Sequence, residues 1–186
     1  ITASILSKKV AEGAKAITFD IKWGNGAFMT DLENAALLGK SLTSVGEKFG
    51  RDINVFITDM NNPLGLYVGN SLEMIESLNI LKQEGDYGQD LLDLSLELSA
   101  SMLLQGSIVK TYSEGLALAK KTLSSGLAFE KFRELISLQG GDLGYLDKHL
   151  ERFEVAAKQT ELLAPEDGFI HHINCRRLGK LVTALG

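Results

Sequence analysis

The sequence has little that suits covalent cross-linking, membrane insertion or the binding of a polyanion. It holds one cysteine, Cys175, two prolines and one tryptophan in 186 residues. A lone cysteine forms no internal disulfide, which agrees with a reducing compartment and sets a cytoplasmic location as the expectation. Apolar stretches are short and broken by charge, so none reaches the length needed to span a bilayer, and the opening residues do not resemble a secretion signal. The formal charge of −5 leaves no basic stripe to neutralise phosphates, which excludes a general nucleic-acid partner. Gly-x-Ser-x-Gly is missing, as are the phosphate-cradling Gly-x-x-x-x-Gly-Lys-Ser/Thr and any convincing pair of carboxylates.

What the chain has is apolar content, 45% of its residues, enough for a sizeable core in one domain or slightly more. It opens on Ile1, already inside an amphipathic pattern, and stops at Ala-Leu-Gly, so an internal piece of a longer protein is expected.

The run Ala16 to Met29 is the centre of the pattern. Its β-branched and apolar residues, ending in Gly24-Asn25-Gly26, read as a buried strand that turns sharply at its carboxyl end. In open α/β sheets that end is where ligands sit. A helix is expected before it over 2–11, with Thr2 as a possible N-cap and Gly13 as the stop. Another follows, opened by the capping-box spacing of Thr30-Asp-Leu-Glu and running to about Gly46. Asp52 to Asp59 is a second strand, and the unit predicts a parallel pair with a helical crossover. The glycine-punctuated loop from Asp59 to Asn70 lies at the same sheet edge as Gly24-Asn25-Gly26. The two would form a crevice, or else be plain turn chemistry. A helix from Ser71 to about Lys82 comes next, then helical pattern over 87–119, a helix from Ser113 through Leu123, and another over 127–138. Leu162-Leu-Ala-Pro-Glu-Asp-Gly marks a boundary, and a short strand is expected from Phe169 to Ile173. His171, His172 and Cys175 suggest a metal, but adjacent histidines on a strand face opposite sides, so a surface strand is the plainer account.

Ser4 and Lys8 are four residues apart, so on a helix they project together as a hydroxyl and an ammonium. On spacing alone a solvated face is the plainer account.

Four motifs alter that balance. Ile-Thr-Ala-Ser-Ile-Leu-Ser-Lys-Lys at 1–9, Asp-Ile-Lys-Trp-Gly-Asn-Gly-Ala-Phe-Met at 20–29, Ile-Thr-Asp-Met-Asn-Asn-Pro-Leu-Gly at 57–65 and Gly-Asn-Ser-Leu-Glu at 69–73 occur in order. With the Leu-Ala-Pro-Glu-Asp-Gly turn, the chain resembles the thymidine phosphorylase and pyrimidine-nucleoside phosphorylase family. The resemblance implies an α/β fold: a parallel-sheet domain with flanking helices over 12–161, preceded at 1–11 by the last helix of a small helical domain and followed from 162 to 186 by the start of an α+β carboxyl-terminal domain. It implies pentosyl transfer, in which phosphate attacks the anomeric carbon of a pyrimidine nucleoside and frees the base, in an enzyme that dimerises through its helical domain.

The same resemblance gives Ser4 and Lys8 catalytic and base-binding roles, and makes Ile1 and Phe28 an apolar wall for the ring. It places a potassium ion on the main-chain carbonyls of Leu64 and Tyr67 and the carboxylate of Glu76, with no organic cofactor. The family's phosphate-binding residues precede Ile1. Trp23 and Asn25 stand where the family usually has smaller residues. Two other readings stay open here: a non-catalytic pyrimidine-binding or assembly module on the same fold, and a related nucleotide phosphorylase.

Overall fold

The computed structural model describes residues 1–149 and 159–185. Residues 150–158 of the expected α/β domain lie outside the described residues.

The β-branched run forms strand β1, Ala16–Trp23, which pairs in parallel with β2, Asp52–Asp59, from Ala16 opposite Asp52 to Trp23 opposite Asp59. A parallel pair needs a crossover, and helix α2, Leu32–Lys48, provides it. Helix α1, Thr2–Ala11, lies on the same side of the sheet. Side chains alternate along a strand. One face therefore presents Phe19, Ile21, Trp23, Ile53 and Val55, which pack against Leu6 of α1 and Ala35, Leu38, Leu42 and Val45 of α2.

The other face is polar and meets helix α4, Gln89–Gln105. Asn54 Nδ2 donates to Ser101 Oγ at 2.6 Å, and Thr18 Oγ1 donates to Gln105 Oε1 at 2.6 Å while sharing a 2.9 Å bond with Ser101 Oγ. Towards the carboxyl end the same row continues as Lys22, 2.7 Å from Asp20 Oδ2 and 2.9 Å from Thr58 Oγ1. Helices therefore flank the sheet on both sides.

Helices α3 (Asn70–Lys82), α5 (Tyr112–Ser124) and α6 (Leu127–Leu138) extend the α4 side. A second core gathers Ile80, Leu92, Leu96 and Ala119. Helices α7, Leu143–His149, and α8, Cys175–Leu185, complete the described elements. No helix among the described residues is long and apolar enough to cross a membrane.

Several local expectations are corrected. The strand predicted at Phe169 to Ile173 is irregular, because no strand among the described residues pairs with it and Phe169 stands fully exposed. The helix α8 that follows was signalled by Leu178, Leu181, Val182 and Leu185 at helical spacing. Thr2 does not cap α1; Ile1 is the N-cap, and the Thr2 hydroxyl bonds Ser41 Oγ on α2 at 2.8 Å. The pattern read as helical over 87–119 breaks after Gln105, and α5 is opened by a reciprocal capping box between Thr111 and Glu114 rather than at Ser113. Helix α2 is capped one residue later than expected, by Asp31 rather than Thr30, and runs to Lys48 rather than Gly46.

The Asp31 carboxylate accepts the Asn34 backbone N–H at 2.8 Å and its side-chain N–H at 2.7 Å. The backbone bond first, and the side-chain bond second, hold its carboxyl below the ordinary value of 3.8. A depressed folded pKa gives stability that is present above the unfolded value and lost as pH falls through the folded one. Asp31→Asn keeps a capping oxygen without the titration, so its denaturant midpoint should fall less than that of the parent chain between about pH 5 and pH 2.

Candidate functional site

Burial of Leu6, only 2% exposed, fixes how α1 is turned. Residues 4 and 8 lie two positions either side of it, about 160° around a helix in each direction. Ser4 and Lys8 thus share the face opposite the core, and both are exposed. Lys9 is ion-paired with Glu12 at 3.0 Å and Lys22 with Asp20, whereas among the described residues neither the Ser4 hydroxyl nor the Lys8 ammonium has a protein partner. Ile1 and Phe28, the apolar pair, are 62% and 79% exposed. The structure keeps Ser4 and Lys8 together and encloses none of the four. A cavity of about 580 Å³ among α3, α4, α5 and α6 is apolar and lined by none of these residues.

Phe28 rides on a tight loop. Gly24 N–H donates to the Met29 carbonyl at 2.9 Å and Ala27 N–H to the Gly24 carbonyl at 3.1 Å. The crevice expected between this loop and the one after β2 is closed where the two meet. Asn25 N–H donates to Asn61 Oδ1 at 3.0 Å, and Asn25 Nδ2 to the Asn61 carbonyl at 3.1 Å. Asn61 is itself held by Asp59 Oδ1, which accepts its backbone and side-chain N–H groups at 2.8 and 2.7 Å. Asparagine side chains that bond backbone groups draw the loops together, so the opening expected from two separate turns is filled by their own amides.

Glu76 is the most deeply buried charged side chain among the described residues, at 1% exposure. Its Oε1 accepts the backbone N–H groups of Leu66 and Gly88, each at 2.8 Å, and its Oε2 that of Tyr67 at 3.3 Å. Three oriented amide dipoles meet the carboxylate, and no lysine or arginine among the described residues pairs with it. Gly65 adopts φ +78°, and a Cβ there would stand 2.6 Å from Glu76 Oε2, so the Pro-Leu-Gly turn can wrap the carboxylate only with glycine at that place. A carboxylate has about four lone-pair directions, and three are used here, which leaves one on Oε2. Leu64 and Tyr67 lie on the same turn. Of the donors, Tyr67 is named in the sequence only for its carbonyl and Leu66 lies beside it, whereas Gly88 carries no signal, because it comes after α3 in the chain.

Residues 2–129 match the glycosyl transferase family, a/b domain. The chain belongs to this family. Across all 186 residues it is also 39% identical to the pyrimidine-nucleoside phosphorylases of Staphylococcus aureus strains USA300, NCTC 8325 / PS 47 and COL. It spans 42% of the length of those relatives. The a/b glycosyl transferase match extends from α1 to the start of α6, so it takes in Ser4, Lys8, Phe28 and the Glu76 turn. His171 and His172 lie beyond it and are exposed.

Replacing Glu76 by glutamine puts an NH₂ group where an N–H donor already points. Glu76→Gln should lose about 3 kcal/mol of unfolding free energy in urea titrations, because buried amides lose a charged acceptor. A loss below about 0.5 kcal/mol would show that the amides find other partners.

Proposed function

We propose that this chain forms the base-holding part of a pyrimidine nucleoside phosphorylase, a pentosyl transferase converting a pyrimidine nucleoside and phosphate into free base and pentose 1-phosphate. The observation that carries the reading is the 39% identity over the entire chain to enzymes of that name. The Ser4–Lys8 pair supports it, as a free ammonium and hydroxyl on one exposed helix face.

As the glycosidic C–N bond breaks, its electron pair passes to the departing base, and an adjacent ammonium stabilises that charge more than it stabilises the neutral nucleoside. Lys8 supplies the ammonium and Ser4 a second hydrogen bond that orients the ring. Ile1 and Phe28 cover its apolar faces. The resemblance puts the family's phosphate-binding residues ahead of Ile1, so in this reading the phosphate site and the wall facing these four exposed residues lie outside the 186 residues. In this reading α1 belongs to the helical domain through which two copies pair, residues from 162 onward begin the carboxyl-terminal domain, and the enzyme is cytoplasmic.

A potassium ion suits the turn around Glu76. The carboxylate is buried, faced only by neutral amides and left with one lone-pair direction, and the Leu64 and Tyr67 carbonyls would complete a hard oxygen donor set. A bound cation would there offset the buried negative charge.

In the full-length protein, Lys8→Met should lower kcat on thymidine or uridine with phosphate by about 10²-fold or more, with a smaller change in KM. The 186-residue chain alone should release no thymine or uracil. Unchanged turnover in the lysine variant would overturn the reading, whereas phosphorolysis by the isolated chain would overturn only its restriction to the base-holding part.

A further inference from the structure

The loop carrying Phe28 and the far end of the chain meet at one side chain. Asn25 Nδ2 donates to the Ile173 carbonyl at 3.0 Å, 148 residues away, and Asn25 Oδ1 accepts the Cys175 N–H at 2.8 Å, 150 residues away. Cys175 is the first residue of α8, and the opening turn is otherwise capped by Asn174, whose Oδ1 accepts the Arg177 N–H at 2.9 Å. The N–H of a first helical residue has no acceptor in its own helix. Asn25 provides that acceptor from another part of the chain.

The neighbouring loop residues make the same contact. Arg176 donates from its guanidinium to the Ala27 carbonyl at 3.2 Å, and a Cβ added to Gly26 would stand 2.7 Å from Cys175 Cβ. Asn25, Gly26 and Ala27 thus all touch the start of α8, and Phe28 is the next residue. We infer that Asn25 is a positioning residue through which segment 173–176 fixes the glycine loop and hence the place of Phe28. The amide of Asn25 suits this role better than a hydroxyl would, because it bonds Asn61, Ile173 and Cys175 at once with two donors and an acceptor. What Phe28 touches depends on the proposed activity; the linkage itself does not.

Amide hydrogen exchange by mass spectrometry on the whole chain tests the linkage without any assay of turnover. Cys175→Pro removes the N–H that Asn25 accepts, while proline at the first helical position leaves α8 able to form. Exchange over 24–29 should then rise about tenfold, the factor that one net hydrogen bond supports, with amides 17–22 of β1 unchanged. Arg176→Ala and Asn25→Ala should act in the same direction. Trp23 is the chain's sole tryptophan and precedes the loop, so its emission should shift in all three. Should Asn25→Ala fail to fold, the other two variants, both outside the loop, still decide. The inference fails if exchange over 175–178 rises while 24–29 stays protected, or if protection is lost equally throughout the chain.

Discussion

Leu6, Ile21, Ala35 and Leu42 come from α1, β1 and α2, and their meeting in one buried cluster settles the orientation of the candidate site. Burying a leucine side chain is worth roughly 1.5–3 kcal/mol, more than any single hydrogen bond that α1 makes to the rest of the chain. Leu6 faces the sheet, so Ser4 and Lys8 must face away from it. The chemistry attributed to α1 is therefore a by-product of which side of the helix is apolar. A helix rotated by half a turn would keep its sequence and place both polar groups against Ile21 and Ala35, where an unpaired ammonium would be costly.

Much of this was legible in the residues. The β-branched run at 16–23, its partner at 52–59 and the helical crossover between them were all foreseen, because strand period and helix period differ and the glycines fall at the junctions. Phe169 to Ile173 misled because composition marks a segment as able to pair and says nothing of whether a partner strand is present. The cap at Asp31 also escaped, since Thr30 beside it has a similar capping oxygen, and Thr2 does not cap α1 because its hydroxyl bonds Ser41 on α2.

The site was legible in part. Four-residue spacing puts Ser4 and Lys8 on one face of any helix; that the pair forms a site comes only from the family resemblance. The environment of Glu76 does not, because its three amides arrive from two loops on either side of α3, and no local pattern records that convergence. The closing of the crevice by Asn25 and Asn61 is non-local in the same way. Sequence named the residues; the distances between loops determined their tasks.

The polar seam between sheet and α4 has a mechanical side. Thr18 gives its proton to Gln105, so it must accept the proton of Ser101, which in turn receives the amide of Asn54; Gln105 Nε2 closes the circuit on the Asp52 carbonyl at 3.3 Å. A directional chain of donors holds only at its own distances and angles. Strands and α4 are thus geared together like meshed teeth, so a displacement of one carries the other as a unit.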